Sequence, residues 1–278
     1  MSDAGKIAAA FHVRAAEYDQ HVTVQKRVVK NLLSYVETHL VEKPAAILDV
    51  GTGTGTLLHN LKGMYPEAAL CGVDLAFNMC LRTVAKLGGD CLVVNGDAEW
   101  IPFKSAAFDL AVSTSALQWV GSISRSIHEL RRVLKPGGVL CVAFFCDGTL
   151  AELQRCFREA AGAGRDGDEN NARTARLHRF RSVGDLTSIL EGMDFEQVIL
   201  HSETEKDWYD DVTSLLRSIR RIGAGAVAGG SAIGLGWRGI INETSRLYRQ
   251  YYGQDGRIPA TYQVLYLYAR TPASTGRQ

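Results

Sequence analysis

Residues 47–60, ILDVGTGTGTLLHN, concentrate side chains and spacings suited to holding a small molecule. The apolar pair Ile47-Leu48 runs into Asp49, and Gly51, Gly53 and Gly55 then alternate with threonines before Leu57, Leu58 and Leu61 recur at helical spacing. That order predicts a buried strand, a tight turn and the start of a helix. Glycine in such a turn has no Cβ to keep a ligand off the backbone. Two more acidic residues close apolar runs in the same way, Asp74 after AALCGV and Asp97 after CLVVNG. The ligand is a dinucleotide, a mononucleotide phosphate, or a molecule without phosphate.

The spacing argues against the first two. A dinucleotide fingerprint needs G-x-G-x-x-G, whereas here the third glycine comes one position early and Thr56 takes the final place. No Lys-Ser/Thr pair follows the glycines, as a P-loop requires. Asp49 stands at the ligand end of its strand, where it repels a pyrophosphate and welcomes an amino cation. Asp74, about 20 residues beyond the glycines, is placed to chelate two ribose hydroxyls. Asp97 is placed to accept from an adenine amino group beside the backbone of Ala98. S-adenosylmethionine carries all three groups, an amino acid, a ribose and an adenine. The cofactor side therefore comprises Asp49, Gly51, Gly53, Gly55, Asp74, Leu75, Asp97, Ala98 and Ser113. Each acid also has a plainer use, as a helix cap or a solvated loop residue.

Positioning these groups falls to alternating strands and helices. Strands are expected at 45–50, 68–75, 91–97, 108–115 and 139–145, and helices at 55–64, 78–88 and 122–134, with a KPGG turn at 135–138. Buried apolar strands alternating with amphipathic helices imply an α/β fold around a parallel sheet with right-handed crossovers. A long helix over 6–40 precedes them, with Val24, Val28, Val29, Leu32, Leu33 and Val36 on one face. After 146 come helices at 149–162, 182–191, 208–222 and 237–252, and strands at 194–203 and 260–270. Residues 163–175 and 223–237 read as polar or glycine-rich loops, and 271–278 as a frayed tail.

Composition narrows the class. The chain has 278 residues, 31 basic and 30 acidic, for a formal net charge of +1, so bulk attraction to nucleic acid or membrane is not expected. No apolar run is long enough for a membrane span, and the first twenty residues do not resemble a secretory signal. Six scattered cysteines lack CxxC or Cys/His ligand spacing, which predicts buried reduced thiols, no metal site and a reducing cytoplasm.

With GxGxG, Asp74, GDAEWIP (96–102), FDLAVS (108–113) and LRRVLKPGG (130–138) in order, the chain resembles the class I S-adenosylmethionine-dependent methyltransferases. That resemblance implies a Rossmann-like, mostly parallel seven-stranded sheet with an antiparallel last strand, formed by a hairpin of 194–203 with 260–270, and helical lid insertions. It further implies one domain, with a lid at 1–42, a cofactor-binding core at 43–146 and substrate-side insertions at 147–193 and 204–258. FHVRAAEYDQHVTVQ (11–25), TSALQWV (114–120), LRSIRRIGA (216–224) and GRIPATYQVLYLYAR (256–270) narrow it, resembling the malonyl-acyl-carrier-protein O-methyltransferases of biotin synthesis. Thr52 stands where cysteine is more usual, and 223–237 is unusually rich in glycine.

The resemblance implies methyl transfer to the free carboxylate of a malonyl thioester on acyl carrier protein. A carboxylate is already ionised near neutral pH and needs no general base, so no triad or essential histidine is expected. Tyr18, Gln118 and Trp119 are the candidates at the reaction centre. Arg217, Arg220, Arg221 and Tyr262 are the candidates on the substrate side, the arginines either clamping the carboxylate or meeting an acidic carrier. On a helix Arg217 and Arg221 share a face, from which Ile219 points away. Arg173, Arg176, Arg179 and Arg181 around Phe180 form a second basic cluster. Other readings are a small-molecule methyltransferase acting on a quinone ring carbon or another acid, a non-catalytic S-adenosylmethionine-binding subunit, and a nicotinamide dehydrogenase.

Overall fold

A computed structural model describes residues 3–15, 18–162, 178–221 and 235–273. Seven strands form one sheet in the order β3-β2-β1-β4-β5-β7-β6. They are β1 (Ala46–Val50), β2 (Ala69–Asp74), β3 (Cys91–Asn95), β4 (Phe108–Thr114), β5 (Leu134–Phe145), β6 (Gln197–Tyr209) and β7 (Ile258–Arg270). The pairings among β1 to β5 are parallel, and β7 lies antiparallel between β5 and β6. This is the expected Rossmann-like sheet, with the last strand reversed in the expected hairpin.

Period-two patterning explains the layering. Val139, Cys141, Ala143 and Phe145 of β5, and Val264, Tyr266 and Tyr268 of β7, point into one buried cluster. Leu140, Val142 and Phe144, and Leu265, Leu267 and Ala269, point into another. A strand buried on both faces must be apolar at every position, and helices must cover both sides. On the first side lie α3 (Thr23–His39), α4 (Thr56–Met64), α7 (Ala151–Ala160), α9 (Val212–Arg221) and α10 (Leu235–Tyr252). On the second lie α6 (Ile123–Val133) and α8 (Val183–Glu191).

Three boundaries differ from expectation. The single helix over 6–40 is three, α1 (Asp3–Arg14), α2 (Tyr18–His21) and α3. The stripe Val24, Val28, Leu32 and Val36 packs on the sheet, whereas Phe11, Ala15 and Tyr18 gather around Ala76 and Met79 at its edge, so one straight helix cannot serve both. The KPGG turn is a bulge inside β5: pairing steps from Phe108↔Leu134 to Leu110↔Val139, with Gly137 at φ +73°. The expected helix start at 208 belongs to β6, because Glu205 and Asp207 alternate onto the half-buried face that meets α3 and reach Arg27 at 2.6 and 2.9 Å. The loop at 163–175 and most of 223–237 lie outside the described residues, as do 274–278 of the tail.

Candidate active site

The parallel strands end together on one rim, where the turns after β1, β2 and β4 meet α1 and α2. The three glycines after β1 each have a separate reason to be glycine, and all have positive φ. A Cβ on Gly51 would meet the Cβ of Ala116 at 2.2 Å, so the turn and the segment after β4 touch there. A Cβ on Gly55 would meet Thr83 of α5 (Phe77–Leu87) at 2.9 Å, which lets α4 start directly against α5. A Cβ on Gly53 would meet nothing within 4 Å, because its bare face borders a cavity.

That first cavity, of about 120 Å³, is lined by Gly51, Gly53, Asp74, Leu75, Asp97, Ala98, Tyr18 and Trp119 among the expected residues. Asp74 is locked at its edge: its carboxylate accepts from Gly53 N–H and Ala76 N–H, both at 2.8 Å. Burial raises its pKa and these two bonds oppose the rise. Asp97 accepts from Glu99 N–H at 2.9 Å through one oxygen. Asp49 does not line the cavity. It lies beneath the glycine turn at 1 % exposure, its Oδ1 without a hydrogen-bond partner. Burial pushes it up to about 7; the adjacent Thr52 hydroxyl opposes that and Asp74 adds to it. Ser113 is likewise off the wall. It is fully buried inside β4, and the wall begins one residue later with Thr114, Ser115 and Ala116. Gly55 supports the turn from behind.

A second chamber adjoins the first through Phe11, Tyr18, Ser115 and Trp119, which line both. Its remaining wall is Gln25, Gln118, Phe145, Thr149, Leu150, Phe180, Ile219 and Tyr262, so Tyr18, Gln118, Trp119 and Tyr262 come together here. Among the described residues this lining holds no lysine, arginine, histidine or carboxylate. Phe11 meets Trp119 edge-on with ring centroids 6.0 Å apart. Burial raises the Tyr18 hydroxyl, as do the charges of Asp74 and Asp19, and burial raises Tyr262 well above its ordinary range. Both phenols therefore stay protonated and remain donors. Gln118 gives its Nε2–H to the Ser115 carbonyl at 2.8 Å, leaving its buried Oε1 unpartnered.

The arginines of α9 do not line this chamber. Val212, Leu215, Leu216 and Ile219 form the buried stripe at helical spacing, so Arg217, Arg220 and Arg221 are turned to solvent. Ile219, expected to point elsewhere, is the α9 residue in the wall. Arg173 and Arg176 lie outside the described residues, whereas Arg179 and Arg181 border a third, polar cavity.

Sequence reasoning missed Phe11, Ser115, Phe145, Leu150 and His178, and it noted Phe180 only as the centre of a basic cluster. Ser115 and Leu150 are locally unusual, at φ +54° and +55°, and their residue types give no hint of that. Asp19 was also missed. It accepts from the Thr54 hydroxyl at 2.5 Å and from Lys86 at 2.8 Å, which ties α2 to the glycine turn.

Residues 48–142 match the methyltransferase domain family. A malonyl-acyl-carrier-protein O-methyltransferase of Geobacter sulfurreducens is 40% identical, over 96% of this chain and 98% of that protein. The chain belongs to the malonyl-acyl-carrier-protein O-methyltransferases. Membership in this family brings S-adenosylmethionine as the methyl donor. The residues present fit it: a bare glycine turn, a locked carboxylate at the end of β2, and a buried carboxylate beneath the turn with one oxygen lacking a partner among the described residues. A biotin biosynthesis bifunctional protein of Teredinibacter turnerae is 30% identical over 96% of the chain, which spans 47% of that longer protein. The YcgJ protein of Bacillus subtilis shares the fold at 16% identity with a TM-score of 0.60, covering 88% of this chain and 99% of that one. No helix among the described residues is long and apolar enough to cross a membrane, and no group of three or more His, Cys, Asp or Glu there is arranged to hold a metal.

Proposed function

We propose that the protein transfers the methyl group of S-adenosylmethionine to the free carboxylate of malonyl-acyl carrier protein, giving the methyl ester that starts pimeloyl and biotin synthesis. The observation that carries this reading is the second chamber. It is aromatic, shares a partition with the cofactor cavity, and has no base in its described lining. An acceptor that needed deprotonation would require one; a carboxylate, ionised near neutral pH, does not.

Bound in the first cavity, S-adenosylmethionine supplies an electrophilic methyl group on a sulfonium. The chain's residues do the rest by position. Gly51 and Gly53 let the donor lie on the backbone, and Asp74 and Asp97 take its ribose and adenine. Asp49 adds negative charge beneath its amino group. The Trp119 face attracts the cation at the partition. Phe11, Phe145, Leu150, Phe180 and Ile219 strip water from the acceptor carboxylate, which makes it a better nucleophile. Tyr18 and Tyr262 donate hydrogen bonds to one carboxylate oxygen and leave the other in line with the methyl group. No proton moves. The exposed arginines of α9 suit an acidic carrier at the chamber mouth better than a carboxylate inside it, and residues 1–42 act as the lid.

Release of S-adenosylhomocysteine with malonyl carrier, acetyl carrier, malonyl-coenzyme A and a quinone as acceptors tests the reading. Turnover is expected with malonyl thioesters only. Turnover with the acetyl carrier or the quinone ring would sink it.

A further inference from the structure

Beyond the two chambers lies a third cavity, of about 760 Å³, whose wall is polar. It shares Gln118 and Phe180 with the acceptor chamber and is otherwise bordered by residues that include Arg158, Arg179, Arg181 and His178. The two spaces thus adjoin across these two side chains, the inner one apolar and the outer one basic. The charges are unequally engaged. Arg181 donates to the Gly121 carbonyl at 2.9 Å, and Asp185 accepts from Ser182 N–H at 3.2 Å in the cap of α8. Among the described residues Arg158 reaches only the Gln154 carbonyl one turn back on its own helix, at 3.3 Å. Arg179 is exposed and has no ion-pair partner among the described residues. His178 is half-buried against Trp119 and Phe180, and burial keeps its imidazole toward the neutral form. Asp147 is the remaining acid on the wall.

Where the two spaces adjoin sits Gln118, 8% exposed, with its Oε1 buried and without a partner among the described residues. A buried carbonyl oxygen without a donor costs free energy, and a ligand amide N–H would satisfy it. The required ligand therefore has an acyl end for the aromatic chamber, an amide in the middle and a phosphate at the basic end.

We propose that this polar cavity is the seat of the phosphopantetheine arm, with Arg158 and Arg179 holding its phosphodiester and Gln118 accepting from the amide nearest the thioester. The inference rests on the acceptor named above and adds the part of the substrate that is recognised at a distance from the chemistry. It also gives Gln118 a positioning role rather than a chemical one. A phosphate is a better match than a second carboxylate, because guanidinium groups grip phosphate oxygens in a bidentate manner.

The test is calorimetric titration of the full chain, saturated with S-adenosylhomocysteine, with 4′-phosphopantetheine and with pantetheine. The wild type should prefer the phosphorylated arm by roughly tenfold or more, the scale of a charge-assisted pair. The Arg158→Ala/Arg179→Ala double variant should bind both arms alike, and the double lysine variant should recover part of the preference. Both positions are exposed, so folding is not at issue. Equal binding of the two arms by the wild type, or an undiminished preference in the alanine variant, would overturn the inference. Selective binding by a wild type that methylates no malonyl thioester would leave the arm site standing and remove the acceptor instead. Malonyl-coenzyme A carries the same arm with a phosphate at the same end, so turnover with it should also fall in the alanine variant, and undiminished turnover there would overturn the inference.

Discussion

The two adjoining chambers are built by different means. The cofactor cavity is built around backbone, a glycine turn, the ends of β1, β2 and β4 and Asp74 fixed by two N–H groups, with Phe11, Tyr18 and Trp119 closing the side it shares with the acceptor chamber. The acceptor chamber is made of side chains brought from α1, α2, β5, α9, β7 and the segment before α8. Backbone geometry tolerates almost no substitution where two segments touch. Aromatic and aliphatic walls tolerate exchange of shape more readily. One fold can thus keep its donor while changing its acceptor.

Substitution in the glycine turn separates the two most sharply. Gly51→Ala places a methyl 2.2 Å from the Ala116 Cβ at φ +74°, and should cost about 3 kcal/mol of stability from strain and overpacking combined. Gly53→Ala has the same backbone strain but open space around its Cβ, so it should lose about 1 kcal/mol of stability and proportionally more affinity for S-adenosylhomocysteine. Chemical denaturation and calorimetry on both variants measure the difference; equal stabilities would contradict the assigned contact.

Asp74→Ala should weaken S-adenosylhomocysteine binding by about 1–3 kcal/mol, as expected for a lost buried acceptor. The acceptor chamber predicts a complementary result. Tyr18→Phe should lower kcat/KM for the malonyl carrier roughly tenfold by removing one hydrogen bond to a charged group, with S-adenosylhomocysteine affinity retained. A drop in cofactor affinity as large as the drop in turnover would mean the partition is shared more deeply than described.

Proton linkage sharpens the comparison from the cofactor side. Asp49 is raised from 3.8 to about 7, so the folded, ligand-free protein favours its protonated form. Its contribution to stability is present at low pH and is lost as pH rises through about 7. A cationic amino group above the turn favours the ionised form instead. Affinity for S-adenosylhomocysteine should therefore rise up to about tenfold between pH 6 and pH 8, with proton release on binding at the lower pH. Asp49→Asn should flatten both trends. The smallest effect belongs to the exposed helix: Arg217→Ala and Arg221→Ala should raise KM for the malonyl carrier about two- to threefold at low salt and not at high salt, with malonyl-coenzyme A unaffected.

The same difference in construction governs what the sequence discloses. The strand, turn and helix around Gly51–Gly55, and the acids closing β2 and β3, sit within short runs whose spacing carries their geometry. Their grouping at one rim followed from parallel strands ending together. The acceptor chamber offers no such spacing. Phe145, Leu150, Phe180 and Ile219 are ordinary apolar residues, scattered along the chain and indistinguishable from core until the fold brings them together. Tyr18, Gln118 and Trp119 were reached through resemblance, not spacing. The arginines of α9 drew attention because charge stands out in a sequence, yet the buried stripe beside them decides which way the helix faces. Asp49 and Ser113 lie on the expected strands but behind the cavity wall, since a strand pattern fixes the face of a residue and not its depth.

The central claim is that the acceptor is an ionised carboxylate held in a chamber whose described lining holds no base. Mass spectrometry of malonyl-acyl carrier protein after reaction with S-adenosylmethionine, with fragmentation of the released arm, tests it directly. The expected result is one added methyl located on the malonyl carboxyl group and absent from acetyl carrier. A methyl found on the malonyl α-carbon, or no gain while S-adenosylhomocysteine still binds tightly, would contradict it.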